Sequence, residues 1–137
     1  MKNRLRELAS GALILVVDDE PINRELAKSI LEDAGVIVET ASNGLDAIRV
    51  IEEKSVDLIL MDMQMPGMDG LEATREIRRR HRGKNIRILA MTANVFDEHR
   101  ESCLAAGMDD FLVKPCHPET LYTSLIHWLQ GQMASPR

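Results

Sequence analysis

The sequence predicts an α/β fold: a doubly wound, five-stranded parallel sheet with helices on both faces and strand order 2-1-3-4-5. Three observations predict it. Short, unbroken apolar runs recur along the chain, as strands buried on both faces of a parallel sheet require. Amphipathic stretches of helical period separate these runs. Residues that start and stop helices punctuate the boundaries, so the chain divides into five strand–helix units.

The first run, residues 12–17 (ALILVV), is strand one. A helix follows from Pro21, whose fixed φ suits a first turn. It carries Ile22, Leu26, Ile30 and Ala34 at a spacing of four and stops at Gly35. Residues 36–40 (VIVET) are less apolar, which suits an edge strand and sets strand two outside strand one. The second helix covers 43–53, with Ser42 as its cap and Leu45, Ile48 and Ile51 turned inward. Strand three is 57–61 (DLILM) and its helix 69–80. Strand four is 86–91 (IRILAM), and its helix, 95–106, ends at Gly107. Strand five is 111–113 (FLV), and the last helix starts at Pro118 and carries Leu121, Leu125, Ile126, Trp128 and Leu129. Residues 11–130 make up the domain, which has the flavodoxin-like (βα)5 order. Residues 1–10 read as a linker or N-terminal extension and 131–137 as a C-terminal tail.

Composition sets bounds on function. The chain has 137 residues, 45% hydrophobic and 28% charged, in the range of one ordinary globular domain. A domain of this size buries roughly two thirds of its unfolded surface and needs no disulfide or structural metal to fold. Its longest apolar run, residues 12–17, is far short of the ~20 residues that span a bilayer. No secretory pattern opens the chain, so the expected location is cytoplasmic. A net charge of −5 argues against nucleic-acid binding, because a phosphate backbone would be repelled. Cys103 and Cys116 form no CxxC pair and read as reduced thiols.

In sheets of this topology the ligand site lies beyond the carboxyl ends of the strands, at the switch point between strands one and three. The residues that close the strands there are Asp18 and Asp19, Asp62, Thr92 and Lys114. Singly, each has an ordinary explanation: a helix cap, a loop acid, a capping hydroxyl, a solvated lysine. Their arrival at one end of one sheet is what marks a site. Carboxylates ~4 Å apart repel by about 4 kcal/mol at an effective dielectric of 20, which a cation between them relieves. Oxygen ligands favour Mg²⁺, Mn²⁺ or Ca²⁺ over zinc, and a site that also takes phosphate favours Mg²⁺. An ammonium, a hydroxyl and a free carboxylate around such an ion suit phosphoryl transfer. The methionines Met61, Met63, Met65 and Met68 read as packing groups rather than metal ligands.

These residues resemble the receiver (response regulator) domains of two-component signalling over nearly the whole chain, from about Leu13 to Leu129. LVVDDEPINR (15–24) is similar to the family's acidic pair after strand one, and LILMDMQMPGMDG (58–70) to its phosphoacceptor strand and loop. AMTAN (90–94) and FLVKP (111–115) are similar to its hydroxyl and lysine segments. The phrasing is most similar to receivers of hybrid sensor histidine kinases. The resemblance implies that Asp62 accepts a phosphoryl group from a phosphohistidine. It implies that Asp19, Asp62 and the Gln64 backbone carbonyl ligate Mg²⁺, with Asp18 reaching it through water. Lys114 and Thr92 would bind phosphoryl oxygens, and Phe111 would swing inward behind Thr92. The Lys114–Pro115 bond is a candidate for the cis form, since only X–Pro bonds adopt it cheaply.

The expected partner is a histidine kinase or a histidine-containing phosphotransfer domain. It would dock on the rim around Ile22 and Pro115, where an apolar residue beside polar ones suits a transient interface. The last helix has one acid, Glu119, and no arginine or lysine over 118–130, so a monomer is expected. An aspartyl-nucleophile phosphatase of the haloacid dehalogenase type is the alternative enzyme reading. Its DxDxT pattern is broken here by Asp18-Asp19-Glu20. A flavin module would need a Gly/Ser/Thr phosphate loop where this chain is acidic. A receiver-like interaction module without phosphotransfer is the remaining alternative.

Overall fold

The apolar runs pair into one five-stranded parallel sheet in the order β2-β1-β3-β4-β5. The computed structural model describes residues 2–9, 11–63, 69–80, 86–92, 97–113 and 117–134. In chain order these form α1 (Lys2–Ala9), β1 (Leu13–Val17), α2 (Pro21–Asp33), β2 (Ile37–Ala41), α3 (Gly44–Glu53) and β3 (Leu58–Asp62). They continue with α4 (Gly70–Arg80), β4 (Arg87–Thr92), α5 (Asp97–Ala106), β5 (Asp110–Val113) and α6 (Pro118–Ala134). Residues 95 and 96, expected at the start of the α5 helix, lie outside the described residues.

Side chains alternate along each strand, so the sheet feeds two cores. Ile14, Val16, Leu58, Leu60 and Leu89 face one way and pack under Leu31 of α2 and Leu121 and Leu125 of α6. Leu15, Val17, Ile59, Met61 and Ile88 face the other way, against Ile48 of α3, Ile77 of α4 and Cys103 of α5. Met61 and Met63 are buried packing groups, whereas Met65, Met68 and Cys116 lie outside the described residues.

Several local expectations are corrected. Leu26 is 55% exposed, although it shares the four-residue row with Ile30 and Ala34. Each step of four turns about 40° around a helix of 3.6 residues per turn, so the row winds from the solvent side at Ile22 to the core at Ala34. Leu45 is 67% exposed because the buried face of α3 is formed by Ala47, Ile48, Val50 and Ile51. The cap of α3 is Asn43 rather than Ser42: its Oδ1 accepts from Asp46 N at 2.8 Å. The last helix runs on to Ala134, so residues 131–134 are helical.

The stretch read as a linker holds α1, and its Leu5 is fully buried in the core beneath α6. Arg6 adds a second tie, its Nη2 donating to the Asp33 carbonyl at the end of α2 at 2.6 Å. Gly35 turns the chain there with φ +88°, and the Arg6 side chain lies over it.

The amino end of the sheet is closed by a polar cluster. Asp109 Oδ2 accepts from Ile88 N at 2.8 Å and from Arg78 Nη2 at 3.0 Å. Arg78 also donates to the carbonyls of Gly107 at 2.9 Å and Ile86 at 2.6 Å. Trp128 Nε1 donates to Asp110 Oδ2 at 2.9 Å, and the Arg87 guanidinium lies 5.4 Å from the Trp128 ring centroid.

Candidate functional site

Strand register builds the site. Val17 pairs with Ala41 on one side and Met61 on the other, so Asp18 and Asp62 each follow a paired residue at the same level. Asp62 in turn pairs with Met91, and Thr92 is the last residue of β4, level with Val113. Three neighbouring strands therefore deliver Asp18, Asp62 and Thr92 side by side at the carboxyl edge. All three are buried, at 2%, 3% and 4% exposure, while Asp19 faces solvent. Asp62 and Thr92 belong to the strands themselves, which holds their backbones in the ladder.

The carboxylates of Asp18, Asp19 and Asp62 converge, each offering an oxygen within 4.8 Å of the others. Local bonds orient the first of them. Asp18 N donates to the Ala41 carbonyl at 3.1 Å, and Asp18 Oδ1 accepts from Glu20 N at 2.9 Å. Arg24, which the sequence reading did not single out, donates to the Asp18 carbonyl at 2.9 Å and so ties α2 to the end of β1. Glu20 is taken up by an ordinary role: its side chain accepts from Ile22 N at 3.2 Å and caps α2. Beyond Asp62 the ladder continues with Met63 N donating to the Met91 carbonyl at 3.1 Å. An all-oxygen set of this kind fits a hard divalent cation and not a soft one.

Phe111 is half-buried on β5 and packs against the core shared by α3, α4 and α5. Ile22 stands 76% exposed in the first turn of α2, at the same carboxyl-end rim. Gln64, Lys114 and Pro115 lie outside the described residues.

The sequence profile of the response regulator receiver domain matches residues 14–126. The chain belongs to this family. The receiver domain is 37% identical over 126 residues to "Sensor protein GacS" of Pseudomonas syringae pv. syringae, covering 90% of this chain and 14% of that protein. It superimposes with a TM-score of 0.80 on the receiver domain of sensor histidine kinase PA1611 from Pseudomonas aeruginosa PAO1, solved with magnesium coordinated in the active site cleft. That match has 40% identity and covers 88% of this chain and 99% of the other. A third likeness is to the Saccharomyces cerevisiae co-crystal structure of the histidine phosphotransfer protein Ypd1 with the Ssk1 receiver domain. Here the TM-score is 0.83 at 27% identity, over 91% of this chain and 93% of the other. The chain spans between 11% and 17% of the length of the curated relatives it matches. Receiver domains are signalling domains, and the flavodoxin-like sheet order is the one expected of them. Among the described residues no helix is long and apolar enough to cross a membrane.

Proposed function

We propose that this receiver domain takes a phosphoryl group from a phosphohistidine onto Asp62 and relays the signal by a change of conformation. The observation that carries the reading is the convergence of three carboxylates within 4.8 Å at the carboxyl end of the sheet, next to the buried Thr92 hydroxyl. Mg²⁺, or Mn²⁺ in its place, would be held by Asp18, Asp19, Asp62 and the Gln64 backbone carbonyl. When bound, such an ion supplies positive charge to the crowded carboxylates and to incoming phosphoryl oxygens. The magnesium in the cleft of the related PA1611 receiver supports that assignment.

In the transfer, an Asp62 carboxylate oxygen bonds to phosphorus as the bond from phosphorus to the donor's imidazole nitrogen breaks, and the imidazole keeps the electron pair. Lys114, the residue after β5, pairs with Asp62 beforehand and with a phosphoryl oxygen afterwards. The Thr92 hydroxyl donates to another phosphoryl oxygen. These charge-assisted hydrogen bonds exist only in the phosphorylated state, so they bias the domain towards a second arrangement in which Phe111 packs inward behind Thr92. The aspartyl phosphate is the domain's own, formed and hydrolysed in place.

The donor, a histidine kinase or a histidine-containing phosphotransfer domain, covers the rim and docks on Ile22 and Pro115. The Ypd1–Ssk1 complex supports a partner of this kind. The unit that does this is built on residues 11–130, with α1 packed against α6, and works as a monomer in the cytoplasm.

Labelling with acetyl phosphate tests the reading. The wild-type domain should gain one phosphoryl group only when a divalent cation is present, and Asp62→Asn should gain none by mass spectrometry. Full labelling of that variant, or of the wild type in excess chelator, would sink the assignment.

A further inference from the structure

The first residue of α4 comes unusually close to the proposed phosphoacceptor. A Cβ built on Gly70 would lie 2.5 Å from the Asp62 carbonyl oxygen, 3.0 Å from Met63 Cα and 3.2 Å from the Asp62 carbonyl carbon. All three atoms are backbone, so no side chain can rotate out of the way. Gly70 is not among the glycines with positive φ, so the backbone angles there are open to any residue. Proximity alone requires the glycine. A helix position with no such neighbour is better filled by alanine.

Neither element can easily retreat. The inner face of α4 is anchored by Ala73, Thr74 and Ile77, all buried. Its first turn is closed by Thr74 Oγ1 donating to the Gly70 carbonyl at 2.8 Å and by Asp69 Oδ1 accepting from Glu72 N at 2.9 Å. On the other side, the bond from Met63 N to the Met91 carbonyl at 3.1 Å fixes the end of β3. Gly70 sits where a pinned helix meets a pinned strand.

We infer that Gly70 is a positioning residue for Asp62: its missing side chain lets the start of α4 seat against the Asp62–Met63 backbone and set the carboxylate among Asp18 and Asp19. A methyl group there pushes the end of β3 outward and draws Asp62 out of the carboxylate cluster. The inference rests on the reading that this cluster holds a divalent cation.

The test measures Mn²⁺ binding alone, with no phosphodonor, by electron paramagnetic resonance of the free ion, together with thermal melting. Three proteins are compared: wild type, Gly70→Ala and Thr74→Val. The last loosens the same helical turn without adding an atom near Asp62. Gly70→Ala should melt cooperatively above the assay temperature yet bind Mn²⁺ about tenfold more weakly or worse, the usual cost of disturbing a group that supports a metal ligand. Thr74→Val should keep the wild-type affinity. Unchanged Mn²⁺ binding in Gly70→Ala overturns the inference. So does a loss of affinity in both variants that follows their loss of melting temperature, or a Gly70→Ala protein already unfolded at the assay temperature, since each marks a structural role only. Wild-type protein that binds no Mn²⁺ would instead bring down the cation reading, and this inference with it.

Discussion

At the carboxyl end of the sheet three carboxylates lie within 4.8 Å of one another, whereas at the amino end the acids are spread among donors from several elements. Asp109 there accepts from a β4 amide and from Arg78 of α4, and Asp110 accepts from Trp128 of α6. The two ends hold similar residues and use them differently. Crowded like charges raise the free energy of the empty site and are tolerated where a cation completes the arrangement. Dispersed acids lock loops and helices to strands, because a half-buried amide or guanidinium left without its acceptor is costly. The same sheet thus keeps its crowded acidic cluster at one edge and much of its fastening, including the buried Leu5 of α1, at the other.

That contrast makes measurable claims. The largest stability effect should come from Leu5→Ala, which empties a fully buried site: about 2–5 kcal/mol less stable in urea unfolding, with acetyl phosphate labelling of the folded protein unchanged. If labelling falls with stability, the two ends are not separable. Asp109→Ala should cost about 1–3 kcal/mol by leaving Ile88 N without this acceptor and Arg78 without its ion-pair partner, again without touching the site.

Ile22→Asp should do the reverse. Melting and acetyl phosphate labelling should stay as in wild type, because the side chain is 76% exposed. Transfer from a histidine-containing phosphotransfer protein should fall by about tenfold or more, the loss of one hot spot worth roughly 1.4 kcal/mol. Equal loss with both donors, alongside a lower melting temperature, would make Ile22 a packing residue.

The smallest effect belongs to the surface network between α3 and α4. Hydrogen bonds from Arg79 and Arg80 hold the Glu76 carboxyl down at about 2. A depressed carboxyl contributes above its unfolded value and loses that contribution as pH falls towards its folded one, so any benefit fades between about pH 4.5 and 2. The group lies at the surface, partly covered by its arginine partners, and solvent screens it, so Glu76→Gln should barely move the melting temperature at neutral pH. A clear drop would mean that this exposed network fastens the fold as the amino-end cluster does.

The strand order and the identity of Asp18, Asp62 and Thr92 were legible in the sequence because both follow from local pattern. A run buried on both faces must be continuously apolar, and in a parallel sheet every such run ends at the same edge. The residue after each run therefore names itself. The faces of α2 and α3 were not legible, as Leu26 and Leu45 show. A row of four-spaced residues winds around its helix, and only the neighbouring strands decide which part of the row meets the core.

Sequence by itself determined the α/β class, the order of elements, the acidic pair and the single acid that meets it across the sheet, since periodicity and strand ends are properties of short stretches. Tertiary structure alone decided that residues 2–9 belong to the core through Leu5, that Arg24 steadies Asp18, and that Gly70 lies against the Asp62 backbone. Each of these joins residues that local pattern does not connect. Leu5 needs the groove beneath α6, Arg24 must reach back to the end of β1, and Gly70 needs α4 and β3 both pinned by the cores they share. Contacts of that kind are set by how packed elements meet, which residue spacing and periodicity do not encode.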